Sequence, residues 1–104
     1  VTPTGTATTV PIEVISWVTT FVGGDGSGRR VIDTPLEPGA TVRSALIALT
    51  ARYPDLHRAL WHGHELGENI EVLVNDAVLG IAHDIDSPLA PGDRITLLAQ
   101  YMGG

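Results

Sequence analysis

Apolar and polar positions change their period along this chain, and each change marks an element. From Ile12 to Val22 the residues are β-branched or aromatic at most positions, a composition that favours a strand. Both faces of that run carry apolar side chains, as the centre of a sheet would. Gly23-Gly24-Asp25-Gly26-Ser27-Gly28 is a glycine-rich turn, and residues 30–34 form the return strand of a hairpin. Pro38-Gly39 is a second turn, after which Thr41 is placed to cap a helix. Val42, Ala45, Leu46, Leu49 and Tyr53 then recur at helical spacing, and Ile47 and Ala48 widen the apolar stripe. Pro54 closes this helix. Asp55 caps a short second turn through Leu56, Ala59, Leu60 and Trp61, and residues 62–68 read as loop.

Alternation returns at residues 70–74, a short strand. Asn75-Asp76 suits a tight turn because both residues tolerate positive φ. Residues 78–81 are the partner strand, residues 87–93 a compact loop closed by Pro91-Gly92, and Arg94 to Gln100 the last strand. The resulting order, β-β-α-β-β-β, predicts an α+β fold with one main helix on one face of a sheet.

Composition narrows the class. At 104 residues the chain reads as one domain, with residues 1–10 as a flexible lead and residues 11–104 as the folded unit. With no cysteine, disulfides, thiolate metal ligands and a cysteine nucleophile are excluded together. The net charge is −6 and every basic residue is an arginine. An acidic surface argues against a nucleic-acid partner and favours a basic protein surface. The absence of lysine means that no side-chain amine of this chain can accept an activated acyl group. No apolar run spans a bilayer, and the Thr-rich start lacks the basic and apolar regions of a signal peptide. The expected location is therefore cytoplasmic, with no membrane partner.

The last two residues, Gly103-Gly104, carry the candidate chemistry. Glycine has no Cβ, so such a tail fits a channel too narrow for other residues. A main-chain carboxylate is ionised at neutral pH and can attack an activated phosphate. Two final glycines also arise by chance, so the weight of the motif depends on what precedes it. Other clusters are weaker. His57, His62, His64 and Glu65 lack the helical spacing of a zinc site, and His83, Asp84 and Asp86 have no nucleophile at a recognisable spacing. The glycine-rich turn lacks the lysine and following helix of a phosphate loop. Trp17 and Trp61 are expected to pack in the core or against a helix.

The stretch Val74-Asn75-Asp76, then Leu89-Ala90-Pro91-Gly92-Asp93-Arg94-Ile95, then Gly103-Gly104 resembles the β-grasp, ubiquitin-like sulfur carriers. These include the small subunit of molybdopterin synthase, the thiamine sulfur carrier and cysteine-type carriers. The helix start Gly39-Ala40-Thr41-Val42 with Leu46 is similar to theirs, and the resemblance covers residues 11–104. It implies a β-grasp fold with a mixed sheet. It also implies that the chain is a co-substrate rather than an enzyme. An E1-like adenylating and sulfurating enzyme would use ATP to activate Gly104, with no cofactor bound by the chain itself. The thiocarboxylate formed on Gly104 would then donate sulfur to a synthase. Gly103 would supply the slim, free backbone, and Gln100, Tyr101 and Met102 would dock at the mouth of the partner's channel. Where family members carry proline and small residues before the glycines, this chain has Gln100-Tyr101-Met102. Two other readings share the residues: a ubiquitin-like modifier conjugated through Gly104, and a β-grasp binding domain with an incidental Gly-Gly. Asp93 is expected to tighten the Pro91-Gly92 turn.

Overall fold

The computed structural model describes residues 8–99. β1 (Thr8–Ile15) leads into a 3₁₀ helix (Ser16–Val22) and then β2 (Arg29–Leu36). α1 (Val42–Arg52) and α2 (Pro54–Leu60) follow. β3 (Trp61–His62) and β4 (Glu65–Leu66) make a small hairpin, and β5 (Ile70–Val74), β6 (Ala77–Val78) and β7 (Ile95–Ala99) complete the main sheet. Strand order in that sheet is β2-β1-β7-β5-β6. The sheet is mixed: β7 runs parallel to β1 and antiparallel to β5. This is the expected α+β arrangement, with the last strand at the centre of the sheet.

The period-two pattern places one set of side chains under the helices. Val10, Ile12 and Val14 of β1, Ile95 and Leu97 of β7, and Ile70, Val72 and Val74 of β5 are all buried. Against them α1 packs Val42, Ala45, Leu46 and Leu49, and α2 adds Leu56 and Leu60. Each fully buried side chain of this size contributes about 1.5–3 kcal/mol. Thr41 begins α1 with a reciprocal cap: the Ser44 N–H donates to Thr41 Oγ1 at 3.2 Å, and the Thr41 N–H donates to Ser44 Oγ at 2.8 Å. Ile47 does not widen the buried stripe, since it is 52% exposed. Pro54 ends α1 as expected and opens α2 at the first helical position, where its missing N–H costs nothing.

Four local expectations are corrected. The run from Ile12 to Val22 is a strand only as far as Ile15. Ser16 turns left-handed at φ 56° and donates its N–H to the Gly28 carbonyl at 2.7 Å. The seven residues from Ser16 to Val22 coil so that Val18, Thr19 and Val22 cap one end of the core. Residues 62–68 contain the β3–β4 hairpin, turned at Gly63 with φ 67°. The partner strand of β5 is shorter than expected, ending at Val78 before a turn at Gly80. The main strand β1 begins at Thr8, within the segment read as a lead; residues 1–7 lie outside the described residues.

The coil after β1 depends on one glycine. A Cβ on Gly24 would lie 2.7 Å from Thr19 Cβ and 2.9 Å from the Thr19 carbonyl oxygen. The Gly24 N–H donates to that same carbonyl at 2.7 Å, and the Gly26 N–H donates to Thr19 Oγ1 at 2.9 Å. Thr19 is fully buried and has no room to yield. Gly24→Ala is therefore expected to destabilise by about 1–3 kcal/mol, the usual cost of overpacking. Urea denaturation checks this; an unchanged midpoint would show that the coil relaxes freely.

Candidate functional site

β7 positions the site. Its register with β1 pairs Ile12 with Ile95, Glu13 with Thr96 and Val14 with Leu97. On its other side Ile70 pairs with Ala99. The chain is thus held in the sheet on both sides up to Leu97, and by β5 up to Ala99. The end of the sheet at Ala99 carries the start of the 3₁₀ helix, the start of β2, and the loop that enters β5. Gln100, Tyr101, Met102, Gly103 and Gly104, the residues singled out from the sequence, lie outside the described residues.

Among the described residues, the face of the sheet away from the helices is partly exposed, although Thr96 on it is buried. Pairing puts Arg29, Val31, Glu13, Ile15, Thr96, Leu98, Glu71, Leu73 and Val78 on that face. Val31 is 57% exposed, and an Arg29–Glu13 ion pair at 2.9 Å lies beside it. Mixed apolar and charged residues on one sheet face, ending where β7 delivers the tail, form a surface able to meet a protein partner.

The two short motifs meet at the opposite end of β7. Asn75 and Asp76 adopt φ 53° and 71°, the tight turn expected of them. Asn75 Nδ2 donates to Asp93 Oδ1 at 2.9 Å, and Asn75 Oδ1 accepts the Arg94 N–H at 3.0 Å. Asp93 Oδ2 accepts the Ala90 N–H at 2.8 Å, which tightens the Pro91-Gly92 turn as expected. An Arg94–Asp76 ion pair joins the same turns. The Asn and Asp of the two motifs are thus direct partners, a contact that separate motif reading missed. Together they pin the start of β7, where Val74 faces Ile95. A one-residue slip there would turn Leu97 out of the core.

The Ala90 N–H first, and then the Asn75 amide, hold the Asp93 carboxyl below its ordinary range. A carboxyl depressed in the folded state adds stability above its unfolded-state value of about 3.9. That stability is lost as pH falls from there through the folded value. Asp93→Asn is therefore expected to be less stable than the parent at pH 7 and to show a shallower loss between about pH 4 and pH 2. Thermal melts across that range check it; parallel curves would show that Asp93 contributes nothing to the acid limb.

His57, His62 and His64 are exposed, whereas the acids Asp84 and Asp86 are engaged in structure. Arg43 donates through Nε to Asp86 Oδ1 at 2.7 Å and through a terminal nitrogen to the His64 carbonyl at 2.6 Å. That guanidinium lowers the Asp86 carboxyl below its ordinary range. Asp84 Oδ1 accepts the Asp86 N–H at 2.9 Å. Among the described residues, no group of three His, Asp or Glu side chains is placed to hold a metal ion. No helix there is long and apolar enough to cross a membrane.

The two tryptophans part company. Trp61 is partly buried, and its Nε1 donates to Thr50 Oγ1 at 3.2 Å, as a helix-packing residue would. Trp17 is 45% exposed, against expectation, and packs edge-on against Phe21 with ring centroids 5.2 Å apart. The signal was present in the sequence. Val18, Thr19 and Val22 follow helical spacing, which leaves Trp17 on the outer side.

No protein-family model and no curated protein sequence matches the chain. Solved structures do match it over nearly their whole length. SAMP1 from Haloferax volcanii is 27% identical, with a TM-score of 0.62, over 90% of this chain and 99% of that one. CysO of Amycolatopsis orientalis, crystallised in a complex with BexX, gives 23% identity and a TM-score of 0.65 over 89% of this chain and 99% of that one. A putative molybdopterin converting factor, subunit 1, from Pyrococcus furiosus gives 18% identity and a TM-score of 0.60 over 88% and 99%. The fold is the β-grasp fold, and the chain is similar to the ubiquitin-like sulfur carriers and modifiers that its motifs resemble.

Proposed function

We propose that the chain is a sulfur carrier that works through the carboxylate of Gly104. The observation that carries this reading is the placement of β7. It lies at the centre of a β-grasp sheet and holds the chain to Ala99, five residues before the final glycine. The rigid sheet presents the tail, and an enzyme supplies the chemistry.

The Gly104 carboxylate attacks the α-phosphate of ATP on an E1-like adenylating enzyme, and pyrophosphate leaves. A hydrosulfide equivalent from a sulfur donor then adds to the acyl carbon, and AMP leaves with the C–O electrons. The product is a thiocarboxylate at Gly104. Its sulfur is a softer nucleophile than carboxylate oxygen; it attacks an electrophilic carbon of a substrate held by a second enzyme, a sulfur-accepting synthase, displacing that carbon's leaving group and giving a thioester between Gly104 and the substrate. Hydrolysis of the spent acyl group restores the carboxylate. The chain is a co-substrate throughout and binds no cofactor. The match to a CysO that was crystallised with a partner, and to a molybdopterin converting factor subunit, supports a metabolite or cofactor pathway as the destination.

A second reading is favoured by the 27% identity to SAMP1, since a Haloferax volcanii structure in the same group is described as small archaeal modifier protein 1. In that case an amine of another protein, rather than sulfide, displaces AMP and an amide forms at Gly104. Intact mass spectrometry separates the two. The chain is incubated with ATP, sulfide and the E1-like enzyme of the same genome. A mass gain equal to replacing one oxygen by sulfur, mapped to Gly104, supports the carrier. Protein adducts without that gain support the modifier, and neither product rejects both.

A further inference from the structure

We infer that Trp17 is the anchor by which the adenylating enzyme grips this chain, seated in an apolar pocket on that enzyme. The inference rests on the carrier reading and adds the surface that the enzyme must cover. Continuing the parallel register by two residues sets Ser16 level with Ala99. Trp17 is the next residue, and the 3₁₀ helix that carries it contacts β7. Five residues follow Ala99, and fully extended they reach at most about 18 Å. An enzyme that closes on the Gly104 carboxylate therefore works within that radius of the sheet end. A standard protein interface of about 800 Å² per side is wide enough to include the end itself.

What stands at that end is an exposed tryptophan held in place. Trp17 is 45% exposed, and its ring is braced edge-on by Phe21 at an interplanar angle of 85°. Its backbone entry is committed by the left-handed Ser16, whose N–H is tied to Gly28 at 2.7 Å. Folding alone gives no reason to expose an indole there, because Val18, Thr19 and Val22 of the same helix already fill the core. A preorganised, half-exposed tryptophan is the residue type most often found as an energetic anchor in interfaces. The rim carries both charges: Arg29 and Arg30 open β2 at this end, Glu68 precedes β5, and Asp25 lies in the loop beyond the 3₁₀ helix.

The test is ATP–pyrophosphate exchange by the E1-like enzyme, measured over a range of carrier concentrations with the full-length chain. Trp17→Ala is expected to raise KM for the carrier about 30-fold with kcat within about twofold of the parent. Trp17→Phe is expected to recover most of that loss. Trp17→Gln is the second variant if the alanine chain melts early, and Ile47→Ser, on the exposed side of α1, is expected to change nothing. An unchanged KM in a folded Trp17 variant overturns this inference and leaves the carrier reading standing. No exchange with the parent chain overturns the carrier reading, and the inference falls with it.

Discussion

Deleting Gly104 is expected to reduce adenylation by about 10²-fold or more while leaving the melting curve of the chain unchanged. The shortened chain still ends in a glycine carboxylate, so charge and local flexibility are preserved. What changes is reach. One residue spans roughly 3.3–3.6 Å, and reacting atoms must come within about 3–3.5 Å, so the carboxylate would stop about one bond-forming distance short of the α-phosphate. The sheet cannot slide to compensate. β7 is hydrogen-bonded on both sides, and its register is pinned by Asn75 and Asp93. Among the described residues the buried core runs from Val10 to Leu97, so folding is expected to be indifferent to the loss of Gly104. Exchange assays and circular dichroism on one preparation check both halves. Full activity in the truncated chain would reject chemistry at Gly104 and favour a binding domain with an incidental Gly-Gly.

The largest effect on stability is expected at Leu97. This side chain is fully buried in the central strand, between Val14 of β1 and Val72 of β5. Leu97→Ala removes contacts to both neighbouring strands and to the helices above them. A cost of about 2–5 kcal/mol is expected, against about 5–15 kcal/mol for a whole domain. For a chain of this size the melting temperature should fall by about 10–30 °C. Ile47→Ala, at a site 52% exposed, should stay within about 0.5 kcal/mol of the parent and serves as the control. A small shift at Leu97 would mean that the strand repacks into the space. The destabilised chain links fold to function, because a frayed β7 no longer holds the tail at a defined point.

Much of this was legible before any coordinates. The helical spacing of Val42, Ala45, Leu46 and Leu49 predicted α1 and its buried face, and all four are buried. Asn75 and Asp76 predicted their own turn. The order Val-Asn, Gly-Asp, Gly-Gly pointed to the β-grasp carriers, and solved structures of similar fold bear that out. The segment after Ile15 misled because β-branched residues favour strands in general, whereas here the sheet has no pairing to offer them beyond Ile15. Once pairing stops, burial of Val18, Thr19 and Val22 decides the conformation, and a coil achieves it.

The sequence by itself determined the fold class, the position of the main helix, and the turns at Asn75-Asp76 and Pro91-Gly92. These are local properties, set by periodicity, by backbone preferences and by residue type. Only the tertiary structure decided that Asn75 and Asp93, 18 residues apart, are hydrogen-bond partners that pin β7. It alone placed β7 between β1 and β5, and it alone turned Trp17 outward at the end where the tail leaves. The reason is that strand order and exposure depend on contacts between distant segments. Such contacts are selected by the packing of the whole core, and no window of sequence contains them.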